Sequence, residues 1–269
     1  MTILFIGDIV GALGRAAVKK ILPKLRKQHN PDLVIANAEN LAHGKGVTAD
    51  TLQEMRTAGI DCFTSGNHVF AKKGYEALLK DESITLLRPA NYPPGSPGFG
   101  EKIINFNKKN ILLLNLMGRV FFREHLDCPF RAFDEIMKKY QKQKLAAVIV
   151  DFHAEATSEK NAFRFYADDR AGAIIGTHTH IPTADELISE NGTAYITDVG
   201  GVLARDSVLG VNKDIIIQNF LTQIPQTHDF PTFGMVEFNA VLITFDTQTS
   251  KATDIKRIYK TTAVAAVQK

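Results

Sequence analysis

The sequence predicts an α/β fold in which two mixed β-sheets pack face to face as a sandwich flanked by helices. Near the N-terminus, short apolar runs alternate with helix-like stretches, the pattern of parallel strands joined by crossover helices. Farther along, Asn107-Lys108-Lys109-Asn110 and Glu190-Asn191-Gly192 separate strand-like runs as hairpin turns do, and the tail from Met235 to Ile258 alternates as antiparallel strands do. Parallel and antiparallel signals in one chain favour mixed sheets over a purely parallel doubly wound sheet.

The elements follow in order. Ile3 to Ile6 is an apolar run closed by Gly7-Asp8, a buried strand entering a turn. A helix follows from Arg15 to His29, with Pro23 placed to interrupt its second half. Leu33 to Ala36 is the next strand, delivering Asn37, Glu39 and Asn40 ahead of Gly44-Lys45-Gly46. Thr48 caps a helix that runs to Ala58 and stops at Gly59, and Ile60 to Phe63 is a third strand entering Ser65-Gly66-Asn67-His68. Arg88 to Gly98 forms a loop by its prolines and glycines. Ile103 to Phe106 and Ile111 to Leu116 pair as a hairpin, and a helix between Arg131 and Lys144 turns Lys138, Lys139, Lys142 and Lys144 to solvent. Ala146 to Val150 is a core strand ending at Asp151-Phe152-His153, and Thr157 to Tyr166 is helical. Ala173-Ile174-Ile175 is a buried strand ending in Gly176-Thr177-His178-Thr179-His180; Glu186 to Ser189 and Thr193 to Thr197 flank the Asn-Gly turn. Gly201 to Arg205 is read as a loop.

Composition limits the function. The chain has 269 residues, 45% hydrophobic and 23% charged, which suits one large globular domain over 1–269. A net charge of +3 with scattered lysines gives no signal for nucleic-acid wrapping. Cys62 and Cys128 make neither a disulfide framework nor a thiolate metal motif, and they fit a reducing cytoplasm. The N-terminus lacks the basic start of a signal peptide and is broken by Gly7, Asp8, Gly11 and Gly14; no apolar stretch is long enough to span a membrane. An assembly of identical copies is left open.

The chemistry sits at strand ends. His178 and His180, two apart, would point to one side of an extended segment, and imidazole is a common metal donor. Each candidate also has a plain structural reading. Asp8 could cap a turn, Glu39-Asn40 could close one, His153 could be a satisfied core histidine, and His178 with His180 could be a local hydrogen-bonding pair. Gly66-Asn67-His68 is sharper, since a glycine turn would present an amide and an imidazole together. Taken jointly they converge, because open α/β sheets gather ligands beyond the carboxyl ends of their strands. Oxygen and nitrogen donors without thiolate fit iron, manganese or zinc. Two ions sharing one carboxylate would activate a water between them, and their net positive charge over Asp8 and Glu39 favours a phosphodiester anion. His68, beside a proposed ligand, is the candidate acid for the leaving alkoxide.

Gly7-Asp8, Gly66-Asn67-His68, His153 and Gly176-Thr177-His178-Thr179-His180 resemble the motifs of the metallophosphoesterase (calcineurin-like) superfamily. More narrowly, Gly7 to Gly11, Asn37 to Asn40, Arg88 to Pro93, Val150 to Ser158 and Gly192 to Gly200 resemble the bacterial YmdB-like phosphodiesterases, nearly over the whole chain. The resemblance implies a two-sheet sandwich with helices outside and a di-metal site, commonly iron. Asp8, Glu39, Asn40 and His180 would hold one ion; bridging Glu39, Asn67, His153 and His178 would hold the other, with His68 as acid. It also implies hydrolysis of cyclic nucleotides, 2′,3′-cyclic monophosphates and by extension 3′,5′-cyclic ones.

Two departures stand out. The superfamily's histidine two places after its first aspartate is Val10 here, so Asn40 would have to replace it. Gly201 to Arg205 replaces a Met-Thr-Gly-Pro-like turn. His43 and Lys45 could contact phosphate or simply form a turn, and Arg119 and Arg123 around Phe121-Phe122 could grip a nucleotide or lie on a surface. His29, His125 and His228 read as ordinary surface or packing histidines. The competing functions are a regulatory protein that uses the same pocket for binding with incidental turnover, and a dinucleotide oxidoreductase. The latter needs a glycine where Ile9 stands between Gly7 and Gly11, and it ranks last.

Overall fold

A computed structural model describes residues 1–267. The chain runs β1 (Thr2–Ile6), β2 (Asp8–Ile9), α1 (Gly11–His29), β3 (Leu33–Asn37), α2 (Ala49–Thr57), β4 (Cys62–Thr64) and α3 (Tyr75–Lys80). It continues through β5 (Glu101–Phe106), β6 (Lys109–Met117), α4 (Pro129–Tyr140), β7 (Ala147–His153), α5 (Thr157–Ala167) and β8 (Ala173–Thr177). The rest is β9 (Leu187–Ile188), β10 (Ala194–Ile196), β11 (Gly201–Ala204), α6 (Lys213–Thr222), β12 (Gly234–Asp246) and β13 (Lys251–Val264). One sheet is ordered β2-β11-β12-β1-β3-β4 with β13 on β12, the other β5-β6-β7-β8-β10-β9. β1, β3 and β4 are mutually parallel, as are β6, β7, β8 and β10, while β12 runs antiparallel to β1. The mixed sandwich is therefore present.

Alternation along the strands builds the layers. Ile3 and Phe5 of β1 join Leu33, Ile35, Ile111, Leu113, Ala147 and Ile149 in the core between the sheets. Their neighbours Leu4 and Ile6 face the other way, onto Leu13, Leu22 and Leu52 of α1 and α2. Leu112, Leu114, Val148 and Val150 likewise meet Phe133 and Phe163 of α4 and α5. A side-chain period of two thus gives each central strand two apolar faces, and the result is a helix, sheet, sheet, helix stack. Each fully buried Leu, Ile or Phe contributes about 1.5–3 kcal/mol to it.

Several boundaries differ from those the sequence predicts. α1 starts at Gly11 and passes unbroken through Pro23. Pro23 lies on the exposed face beside exposed Lys19, so the carbonyl that loses its helical donor there faces water. α4 is Pro129–Tyr140, with proline at the first turn where its missing N–H costs nothing. β7 extends through His153, so this histidine ends a strand instead of following one. Gly201 to Ala204 is no loop. It is β11, fully buried, parallel to β2 and antiparallel to β12, because Val202-Leu203-Ala204 is an apolar run that completes the sheet beside Asp8. α3 and α6 have no counterpart among the elements the sequence predicts; α6 buries none of its residues, so no apolar stripe marks it. Among the described residues no helix is long and apolar enough to cross a membrane.

Candidate metal centre

The strands of both sheets deliver polar side chains to one end of the sandwich. Asp8 opens β2; Glu39 and Asn40 follow β3; Asn67 and His68 follow β4. His153 ends β7, and His178 and His180 follow β8. The oxygen donors therefore come from one sheet, and the imidazoles of His153, His178 and His180 come from the other.

Around His153 the donors are tightly grouped. Its Nε2 lies 3.4 Å from Glu39 Oε2, 3.3 Å from Asn67 Oδ1 and 3.1 Å from His178 Nδ1. Glu39, His153 and His178 each place a ligand atom within 4.8 Å of the others. On the other side of Glu39, Oε1 lies 3.2 Å from Asn40 Nδ2, which is 3.1 Å from His180 Nε2. Asp8 Oδ1 is 3.9 Å from His180 Nε2. Glu39 thus stands between two donor groups, one oxygen toward each.

A cation fits this arrangement. Asp8 Oδ1 is buried with no hydrogen-bond partner, an expensive state for a carboxylate oxygen. Gly66 leaves open the space beside His153 Nε2 and Glu39 Oε2, where any Cβ would overlap both atoms. Burial raises the Asp8 pKa, only partly countered by His180 and His153. Burial would also raise Glu39, but His153 and His68 outweigh it and hold the carboxyl well below the usual range. His153 is pulled down by burial, yet Glu39 and Asp8 push it up to about 9. His178 is lowered to about 3 by burial and by the neighbouring charge of His153, so it is a neutral imidazole despite Glu155 Oε2 lying 3.1 Å from its Nε2. That contact fixes the ring: Nε2–H donates to Glu155 and Nδ1 presents its lone pair to the centre.

His178 and His180 do not lie on the extended segment that strand alternation predicts. His178 has φ 102° and His180 φ 64°, so both are in left-handed backbone after β8, not on an extended segment. The turn sends His178 toward His153 and His180 toward Asp8 and Asn40. Val10 is buried as the residue before α1, and Asn40 faces His180 with its Nδ2.

Several supporting residues carry no role in the sequence reading. Thr177 Oγ1 donates to Asp151 Oδ1 at 2.6 Å, which leaves it to accept from His153 Nδ1 at 2.9 Å. Asp151 Oδ2 also accepts from Thr64 Oγ1 at 2.5 Å and Asn37 Nδ2 at 3.0 Å, while Asn37 Oδ1 accepts from the Glu39 amide at 3.1 Å. Burial pushes the Asp151 carboxyl up to about 7. Lys160 Nζ, buried, reaches Asp198 Oδ2 at 2.8 Å and the Thr177 carbonyl at 2.9 Å, and Asp198 Oδ2 accepts from the Thr179 amide at 3.0 Å. These contacts tie down the turn that carries His178 and His180. The legible signal was charge inside apolar runs, as in Val148-Ile149-Val150-Asp151-Phe152.

A sandwich of this topology with O and N donors at its strand ends defines a metallophosphoesterase-like protein. The family model described as YmdB-like protein matches residues 4–258, and the chain belongs to that family. It is 44% identical over 258 residues, 96% of each chain, to a Bacillus subtilis (strain 168) protein named 2′,3′-cyclic-nucleotide 2′-phosphodiesterase. The crystal structure of a novel phosphatase from Mycoplasma pneumoniae superposes with TM-score 0.91 at 35% identity, covering 97% of this chain and 93% of that one. A hypothetical protein from Thermus thermophilus superposes with TM-score 0.89 at 39% identity, covering 97% of this chain and 99% of that one.

Proposed function

We propose that the chain is a metal-dependent phosphodiesterase that hydrolyses cyclic nucleotides, 2′,3′-cyclic monophosphates and by extension 3′,5′-cyclic ones. The observation that carries this reading is Glu39 standing between two donor groups at the strand ends. The name of the Bacillus subtilis relative supports the substrate class. Asp8, Glu39, Asn40 and His180 would hold one ion, and Glu39, Asn67, His153 and His178 the other. When bound, such ions supply an activated water and positive charge for the phosphate oxygens. These oxygen and imidazole donors suit iron, manganese or zinc, and the family resemblance favours iron among them. Free Cys62 and Cys128 suit work in the cytoplasm.

The chain's own groups set the proton traffic. His68 Nδ1 lies 3.0 Å from Asn40 Oδ1 and 3.3 Å from Glu39 Oε1, and the His68 amide donates to Glu39 Oε2 at 3.1 Å. Nδ1–H therefore donates to Asn40 Oδ1 and Glu39 Oε1, which leaves Nε2 as the nitrogen free to face substrate; a proton carried there is the one His68 would give to a leaving oxygen. His68 is half-buried, open enough to meet substrate. A water oxygen bonds to phosphorus as the P–O2′ bond breaks, the 2′-oxygen takes the His68 proton, the proton given up by the water restores His68, and the product is a 3′-nucleotide.

The test is elemental analysis of protein purified without added metal, with turnover of a cyclic-nucleotide panel before and after chelation. Expected are two equivalents of metal and activity lost both on chelation and in His178→Ala. Turnover that survives both treatments would remove this centre as the catalyst.

A further inference from the structure

The segment between Gly118 and Asp127 lies against the His153–His178 side of the centre, and it presents an aromatic ring to solvent. Phe122 packs on the metal-site histidines, its ring centroid 4.8 Å from that of His178 and 6.3 Å from that of His153. The preceding Phe121 is 83% exposed, with φ 69°, left-handed backbone that a bulky side chain rarely adopts. Of two adjacent phenylalanines, one packs on the site wall and the other leaves its ring open to solvent beside it.

The loop is fixed at both feet. Asn91, buried, donates from Nδ2 to the Met117 and Asp127 carbonyls at 2.8 and 2.9 Å, and its Oδ1 accepts from the Met117 amide at 2.9 Å. The Gly118 amide donates to the His153 carbonyl at 3.0 Å. The Arg119 and Val120 amides donate to the Glu159 carboxylate at 3.0 and 3.2 Å, and a Cβ on Gly118 would strike that carboxylate. An outward Phe on an anchored loop contributes nothing to the core. Strained backbone with an exposed aromatic beside a reaction centre is instead the form of a preorganised contact.

We propose that Phe121 is the base platform of the site: its ring stacks the nucleobase of a cyclic nucleotide whose phosphate sits at the centre beside His178. This rests on the phosphodiesterase reading and adds to it the part of the substrate that determines specificity. Stacking accepts any base but favours the larger purine face, so the preference runs from purine to pyrimidine. Phe122 is a positioning residue that seats the loop on His178.

The experiment compares wild type with Phe121→Ala and Phe121→Tyr on adenosine 2′,3′-cyclic phosphate, cytidine 2′,3′-cyclic phosphate and base-free glycerol cyclic phosphate. Stacking of one base predicts a KM rise of about 5- to 150-fold for the adenosine substrate in Phe121→Ala, with kcat changed far less. The rise should shrink for cytidine, vanish for the base-free ester, and be reversed in Phe121→Tyr. Calorimetric binding of adenosine 3′-monophosphate gives a readout independent of turnover and should weaken by a like factor. Metal content equal to wild type shows that the variant is folded. An unchanged affinity for adenosine 3′-monophosphate, or an equal loss on all three esters, would overturn the platform. Absence of wild-type turnover on every ester would overturn the phosphodiesterase reading, while the binding arm still decides the role of Phe121.

Discussion

Thr177 Oγ1 lies 2.9 Å from His153 Nδ1 and donates its own hydrogen bond to Asp151 at 2.6 Å. The hydroxyl therefore acts as an acceptor toward Nδ1–H, and Nε2, the nitrogen that faces Glu39, Asn67 and His178, is the one that would give up its proton to a bound cation. Removing the hydroxyl while keeping the shape, in Thr177→Val, should lower metal affinity about 10- to 100-fold, the usual cost of losing a ligand's outer partner. Chelator competition against the wild type measures it.

The buried pair Lys160–Asp198 makes a stability prediction. Both side chains are 1% exposed and 2.8 Å apart. Lys160→Met would leave a buried carboxylate without its cation and should destabilise the metal-free protein by about 3–5 kcal/mol. Adding Asp198→Asn removes that stranded charge and should recover part of the loss. Urea unfolding of the two variants checks both statements.

Metal stoichiometry should divide by residue. Asp8→Asn should lose one ion and Asn67→Ala the other, whereas Glu39→Gln, which faces both donor groups, should weaken both. Gly66→Ala should empty the centre with the fold intact, because its Cβ would occupy the space beside His153 Nε2 and Glu39 Oε2. Elemental analysis with circular dichroism distinguishes the cases.

Asp185 gives the pH dependence. Burial would raise its pKa, but hydrogen bonds from Thr183 and Thr197 hold it below the ordinary value of 3.8. A depressed carboxyl stabilises the folded state above its unfolded pKa, and that contribution is lost as pH falls through the folded value. The stability gap between wild type and Asp185→Asn should therefore be full near pH 6 and shrink below about pH 4. Urea midpoints across that range would show it; a gap that grows in acid would contradict the assignment.

Most central strands are legible because short, mainly apolar runs between turn residues, from three residues at Ala173 to Ile175 up to six at Ile111 to Leu116, leave few alternatives. The candidate donors Asp8, Glu39, Asn40, Asn67, His153, His178 and His180 stand out because each follows or ends such a run. What stayed hidden depends on tertiary partners. Gly201 to Ala204 becomes a strand only because β2 and β12 are there to pair with it. The left-handed turn of His178 and His180 depends on Lys160 and Asp198, distant in the chain. α6, with no buried residue, has no periodic apolar face to read.

The split of donors between the sheets has a consequence for assembly. With the acidic and amide groups on one slab and the imidazole ligands on the other, neither half alone can chelate a pair of ions in the proposed way. With two ions held as proposed, the catalyst would not switch on before the slabs dock, and the metal pair would act as a clasp whose release loosens the joint. A nascent or damaged chain would then be kept from carrying reactive metal without the walls that confine it.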